Sequence, residues 1–554
     1  MSGNQQIHGN RWWVLALVML GTFMAVLDSS IVNVALPHMM SAFGVNRDQI
    51  EWVSTAFMLA TAVAMPLVGW VVNKVGYRAL YTASLFLFTV GSAACAFAWS
   101  FEALIGARVL QAIGGGAIMP VGMAIVAEMF DPHERGRALG IWGTGIMAGP
   151  ALGPTLGGYL TDWFGWRSIF SVNLPFGVIA VAATLMIMQS DRSTRRPAQR
   201  FDALGFAFLS VALIAGLLAL ANGQEKGWMS HYVLVSGGLG IIGLVMFIAV
   251  EWASPHPLLD LSLFRSRNFS LSMVLTTFRS VGLYGGVFLL PLFLERLAGY
   301  DTISTGLWMM PGALAVAAAM PIAGRLSDRF SAATLVAGGT ALTAVSLFMY
   351  GWLDPQSGAG LIIGPQIVRG VGLALMMASL TTAALNSVPR EAAATASSFI
   401  NIATRVGGAF GLAILNAFVT KSVHRHAVTL ASMLPPQSAK FAHATAGAAQ
   451  ITIHGAHGVG LSAAAKPSLL AAQTIMTRSQ VLGYQDGFVF AAGILALGIP
   501  LSLLLKRSVS HVVAATKATG DEPPATPPAP SAPDEHPGKT AAVPRRQRRR
   551  SRAA

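Results

Sequence analysis

Fourteen apolar runs, each about 20 residues long, follow one another through almost the whole chain. They begin near Trp12, Ile50, Ala79, Glu102, Gly136, Ser168, Ala203, His231, Phe269, Ile303, Ala332, Gly358, Ala396 and Gly487. A run of that length and polarity crosses hydrocarbon. In lipid a helix satisfies every backbone N–H and C=O within its own segment. The expected fold class is therefore an all-α polytopic membrane protein. Composition agrees: of 554 residues only 11% are charged and 54% are hydrophobic, whereas soluble domains carry about 25% charge. The first run is too long for a signal-peptide core and reads as an uncleaved span. The single cysteine, Cys95, excludes an intrachain disulfide.

Loop charge sets the orientation. With the N-terminus inside, the short inner connections carry 14 Lys and Arg: Arg11, Lys74, Arg78, Arg135, Arg137, Arg192, Arg195, Arg196, Arg200, Arg265, Arg267, Arg325, Arg329 and Arg390. The short outer ones carry four: Arg47, Arg167, Lys226 and Arg296. That asymmetry follows the positive-inside rule, and an even number of spans returns the C-terminus to the inside. The net charge of +14 does not point to nucleic acid, because ten of the 37 basic residues sit in the last 49 positions and most others in short loops. Residues 421–485 read as a long outer loop, and 507–554 as a disordered basic tail. That tail is either solvated or in contact with the anionic inner leaflet.

The chain repeats itself. Gly69, Asn73, Lys74 and Arg78 follow the second run, and Gly324, Asp328 and Arg329 follow the tenth, 255 residues later. Arg108 in the fourth run is matched by Arg369 in the twelfth, each followed by glycines. Two six-span halves follow, residues 12–189 and 253–506. Residues 1–11 form an inner N-terminus, and 190–252 a linker with two inserted spans. Halves related in this way are a transporter architecture with the site between them.

Asp28 lies within the first run, where a carboxylate is costly and implies a polar cavity and a task in moving a solute or proton. By helical rise Asp28 lies about 24 Å above the inner end of its span and Arg108 about 9 Å below the outer end of its own, so both fall in the outer half of the membrane. A buried carboxylate beside a guanidinium exchanges protons as its surroundings wet and dry; the alternative is a purely structural ion pair. Arg279 and Arg405 fall near mid-membrane, where each binds an anionic group, repels protons or meets a helix C-terminus. Glu295 is either a cavity acid or an interfacial residue paired with Arg296. Gly145, Gly149, Gly153 and Gly157 place a glycine groove on one face of the fifth span, and Pro150 and Pro154 permit bending there.

Taken together, several motifs resemble the major facilitator superfamily, and within it the fourteen-span drug:proton antiporters of the EmrB/QacA type. They are the 27–37 segment with Asp28, Asn33 and Pro37; Arg108, Gln111 and Gly114; Gly149, Pro150, Gly153, Pro154, Gly157 and Gly158; Trp166, Asn173, Pro175 and Gly177; and Gly324, Asp328 and Arg329. The resemblance covers about residues 10 to 507. It implies two six-helix bundles plus two inserted helices, with both termini cytoplasmic. It also implies proton-coupled export of hydrophobic or amphipathic compounds from a bacterial inner membrane, energised by the proton gradient and without a cofactor. Asn33 and Gln111 would join Asp28 and Arg108 in coupling or in the cavity. The glycine–proline pattern of the fifth span resembles that of exporters. Asp328 would latch neighbouring helix ends, while Asn73 and Lys74 depart from the usual Asp and Arg. A periplasmic adaptor and an outer-membrane channel are implied partners where a cell has an outer membrane. An exporter of one endogenous metabolite, or an uncoupled uniporter, remains as the alternative.

Other classes find no support in the sequence. A Gly-x4-Gly-Lys-Ser/Thr phosphate loop is missing, so the chain is not expected to hydrolyse ATP, and no catalytic triad or metal-hydrolase helix is present. His424, His426, His454 and His457 read as solvated histidines rather than metal ligands. A helix over 468–484 is expected to lie on the outer surface or touch a partner.

Overall fold

The computed structural model describes residues 3–188, 200–433 and 466–506. All regular structure among them is helical. In chain order the helices are α1 (Gly3–Phe43), α2 (Arg47–Ile50), α3 (Trp52–Ala64), α4 (Leu67–Val75), α5 (Tyr77–Ala96), α6 (Phe101–Met129), α7 (Arg135–Phe164), α8 (Ser168–Ser171), α9 (Asn173–Ile187), α10 (Ala203–Lys226), α11 (His231–Ala253), α12 (Arg267–Tyr284), α13 (Leu290–Arg296), α14 (Thr302–Arg329), α15 (Ala332–Met349), α16 (Ala359–Asn386), α17 (Ala393–Ser432) and α18 (Lys466–Leu503). Arg192, Arg195, Arg196, His454, His457 and the basic tail lie outside the described residues.

Twelve of these helices are long and apolar enough to cross a membrane, or thirteen if α2–α3 and α4, bent by 55°, form one span. The expected count of fourteen is not reached on length and apolarity alone. The remaining run became α7, 30 residues long and rich in glycine, which lowers its apolarity. Its glycines let α1 approach: a Cβ at Gly149 would stand 2.8 Å from Val26, at Gly153 2.5 Å from Ser30, and at Gly157 2.8 Å from Ile31. Gly145 faces Met19 in the same way, but Gly158 faces nothing within 4 Å and takes no part in the groove. Trp142 Nε1 donates to Thr22 Oγ1 at 3.0 Å and adds a polar tie between the two helices.

The first half is α1 to α9, and the second α12 to α18. Between them α10 and α11 pair closely, Gly240 against Gly216 and Gly243 against Ala212, and reach the bundle through α3 and α17. Arg11 pairs with Glu134 at 2.8 Å, and Asn268 donates to the Lys506 carbonyl at 3.0 Å. With Arg390 of the second half bound to Asp131 of the first, these contacts gather at the end of the bundle that the charge rule places inside.

Two boundaries differ from expectation. Helix α1 starts at Gly3 rather than after residue 11. The outer region is also more helical: α17 runs for 40 residues and α18 for 38, each close to twice the roughly 30 Å membrane core at 1.5 Å rise per residue. Residues 421–432 therefore continue α17, and 468–484 belong to the last span rather than to a separate surface helix. Pairing is the reason: Gly483 abuts Val423 and Gly487 abuts Val419, while Asp486 accepts from Ser422 Oγ and contacts His426 Nε2 at 2.8 Å. His426 is thus occupied by a carboxylate, and no metal-binding group forms among the described residues.

Candidate functional site

Asp28 is completely buried, and three side chains surround its carboxylate. Arg108 Nη1 donates to Oδ2 at 2.7 Å, while Gln111 Nε2 and Asn173 Nδ2 each donate to Oδ1 at 2.8 Å. Arg108 and Gln111 stand three apart on α6 and so share a face; Asn173 opens α9. Arg108 Nη1 also reaches Gln111 Oε1 at 2.5 Å, and its Nε donates to the Val53 carbonyl at 3.2 Å. The guanidinium lies 4.0 Å from the Phe57 ring centroid. Ser92 accepts from Gln111 at 2.7 Å, and Cys95 Sγ contacts Gln111 Oε1 at 3.7 Å. A buried ion pair persists only when its spare donors and acceptors are satisfied in this way. Neutralising Asp28 would leave Arg108 without its counter-ion.

Asp28 does not line the cavity, contrary to expectation. A cavity of about 480 Å3 lies between the halves. The other face of α1 reaches it through Ser30, Asn33 and Val34, α7 supplies Met147, Pro150 and Pro154, and Leu283, Tyr284, Met309 and Met310 supply apolar wall from the second half. The lining has two charged groups, Glu295 and Arg369. Glu295 forms no ion pair with Arg296, so of its two readings the geometry places it on the cavity wall. Asn33 is exposed there and accepts from Ser54 Oγ at 3.1 Å, apart from the Asp28 cluster. Arg279 and Arg405 lie outside the lining; Arg279 Nη2 donates to Thr404 Oγ1 at 3.0 Å.

The two repeat copies behave differently at the inner end. Asp328 binds the N-terminus of α7 with both oxygens, accepting from the Gly136 and Arg137 amides at 2.8 Å each. A carboxylate there is favoured by the free amides and the helix dipole. Gly324 makes the approach possible, since a Cβ there would overlap the Gly136 carbonyl oxygen. Arg135 adds a bond across the halves to Asn386 Oδ1 at 2.5 Å, while Arg329 is exposed. In the first copy Gly69 packs against Thr395 of α17, but Asn73 makes no corresponding bond to a helix N-terminus. Lys74 lies over the Trp70 ring at 4.9 Å, and Arg78 Nη2 ties α5 to the Leu185 carbonyl at 2.6 Å.

Sequence reasoning did not single out Asn173, Ser92 or Tyr284. Asn173 stood within the Trp166 to Gly177 motif, and an Asn opening an apolar run was the available signal. Nothing marked Ser92, because a serine in a span usually bonds its own helix.

Known proteins place this geometry. The model of the Major Facilitator Superfamily matches residues 18–412. The chain is 35% identical over 413 residues to the multidrug resistance protein Stp of Mycobacterium tuberculosis (strain ATCC 25618 / H37Rv), covering 74% of this chain and 76% of Stp. It is 31% identical over 439 residues to the multidrug export protein EmrB of Escherichia coli (strain K12), covering 79% and 86%. Among solved structures, the human organic anion transporter MFSD10 superposes with a TM-score of 0.58 at 15% identity, covering 89% of this chain and 99% of that one, a likeness of fold alone. The chain belongs to the major facilitator superfamily, of the EmrB type, and is a multi-pass membrane transporter rather than an enzyme.

Proposed function

We propose that this transporter exports hydrophobic or amphipathic compounds in exchange for protons, by alternating access, in a bacterial plasma membrane. The observation that carries the reading is the two-faced helix α1. One face holds Asp28 against Arg108, Gln111 and Asn173, and the other lines the cavity through Ser30 and Asn33. Protonation of Asp28 releases Arg108, α1 shifts along the glycine groove of α7, and the cavity changes shape. In the present state the Asp328 latch holds the inner end shut, as expected before substrate is released outside. Loss of the proton restores the ion pair and resets the cycle. Similarity to EmrB and Stp supports the export direction. In a cell with an outer membrane, an adaptor and an outer-membrane channel would receive the substrate.

The test uses purified protein in liposomes with an imposed pH gradient, acidic inside, and three fluorescent amphiphiles: cationic ethidium, neutral Nile red and anionic pyrenebutyrate. At least one dye should accumulate beyond protein-free vesicles, and a protonophore should abolish that accumulation. If none moves, or movement ignores the protonophore, coupled efflux is wrong.

A further inference from the structure

The second half carries buried positive charge without counter-ions. Arg279, Arg369 and Arg405 all project from α12, α16 and α17 within the membrane-spanning bundle, and none forms an ion pair among the described residues. Arg369 is 4% exposed, its Nε has no hydrogen-bond partner, and its Nη1 has only a long 3.5 Å contact with the Leu283 carbonyl. Arg279 is 7% exposed, and its Nε is likewise unsatisfied. The first half neutralises the corresponding Arg108 with Asp28; the second half offers Arg369 no carboxylate. A desolvated guanidinium in this condition is an incomplete site.

Arg369 is also the one arginine on the cavity wall. It is held there by the π-turn at Gly285–Leu289, a deviation frequent at functional sites. Any side chain at Gly286 would overlap the Arg369 guanidinium, so the glycine gives the cation its place. Tyr284 lines the cavity next to this point, while Arg279 and Arg405 stand behind the lining. The wall around Arg369 is apolar and flexible, with Met147, Met309 and Met310. Glu295 stands nine residues beyond Gly286 along the α12–α13 rod, which places it about 14 Å away at helical rise, near the outer end.

We propose that the Arg369 end of the cavity is an anion site, and that the substrates are amphiphiles with a carboxylate head and an apolar body. The carboxylate completes the guanidinium fork, which accepts it in bidentate geometry, and the apolar body lies along the methionine wall. Glu295 makes the outer end unfavourable for the same anion and so favours its release. This proposal rests on the efflux reading and names the substrate class of that cavity.

The experiment measures equilibrium binding of two probes of one skeleton, pyrenebutyrate and its trimethylammonium analogue, to the full chain in nanodiscs. Wild type should bind the carboxylate at least tenfold more tightly. Arg369→Gln should lose at least tenfold on the carboxylate and stay within twofold on the ammonium, and Arg369→Lys should fall between. Glu295→Gln should tighten carboxylate binding about threefold, which keeps the test open if the Arg369 variants do not fold. Equal or ammonium-selective binding by wild type overturns the proposal, as does a folded Arg369→Gln that binds the carboxylate like wild type. Gradient-driven movement of ethidium without pyrenebutyrate overturns the anion site and leaves efflux standing; movement of no dye overturns both.

Discussion

Replacing Asp328 by Ala should unlock the inner end of the bundle. Two amide-to-carboxylate bonds of 2.8 Å are lost, together with a favourable charge at the α7 N-terminus. Hydrogen bonds to charged groups contribute about 1.5–3 kcal/mol each when well buried. Asp328 is only half-buried, so solvent reduces the pair to about 2 kcal/mol in total, equivalent to roughly a 30-fold shift toward the inner-open state at 1.4 kcal/mol per decade. The assay is thiol labelling of Met320→Cys, a position 1% exposed beneath Gly140 and Gly143 of α7. Cys95 is fully buried and stays as the unreactive background. The labelling rate should rise about 30-fold in Asp328→Ala, and less in Asp328→Asn, which keeps one acceptor. An unchanged rate in a folded Asp328→Ala protein would refute the latch.

Three further outcomes follow from the contacts. Gly140→Val places atoms where Met320 O and the Gly324 Cα stand at 2.5 and 3.0 Å; α7 and α14 must separate, and transport should fall at least tenfold with Met320→Cys labelled more quickly. Arg108→Leu leaves Asp28 buried without its cation, which costs about 3–5 kcal/mol, and should appear as a large drop in melting temperature in detergent, partly recovered by adding Asp28→Asn. Asn173→Ala removes one of three donors to Asp28 and should destabilise the protein by about 1–2 kcal/mol, read as a smaller drop in the same melt.

The helices were legible because hydrocarbon thickness fixes their length and polarity, and the contact of Asp328 with a helix end because a Gly–Asp spacing at an inner loop has few other uses. The partners of Asp28 were only partly legible. Arg108 was suggested by depth, but depth is one coordinate, and contact between α1 and α6 also depends on how each helix is turned. That turning explains why Asp28 faces away from the cavity: Asn33 lies five residues on, about 140° around the helix at 3.6 residues per turn, so the two could not share a face. The cavity acid is instead Glu295, whose reading stayed open because α13 begins after a π-turn that the sequence pattern does not show. The extended end of α17 reads as loop and that of α18 as a separate surface helix, because both are polar; each is held in one continuous helix by the other, through Gly483, Gly487 and Asp486, and pairing of that kind is tertiary.

The proposed coupling of proton flow to transport rests on Asp28. The most direct measurement sets two assays side by side on Asp28→Asn, whose amide reproduces the protonated carboxyl in shape. Proteoliposomes are scored for dye accumulation under a pH gradient and for dye exchange without one, using a dye that wild type accumulates. Asp28→Asn should exchange dye but no longer accumulate it. Gradient-driven accumulation equal to wild type would exclude Asp28 as the coupling carboxylate.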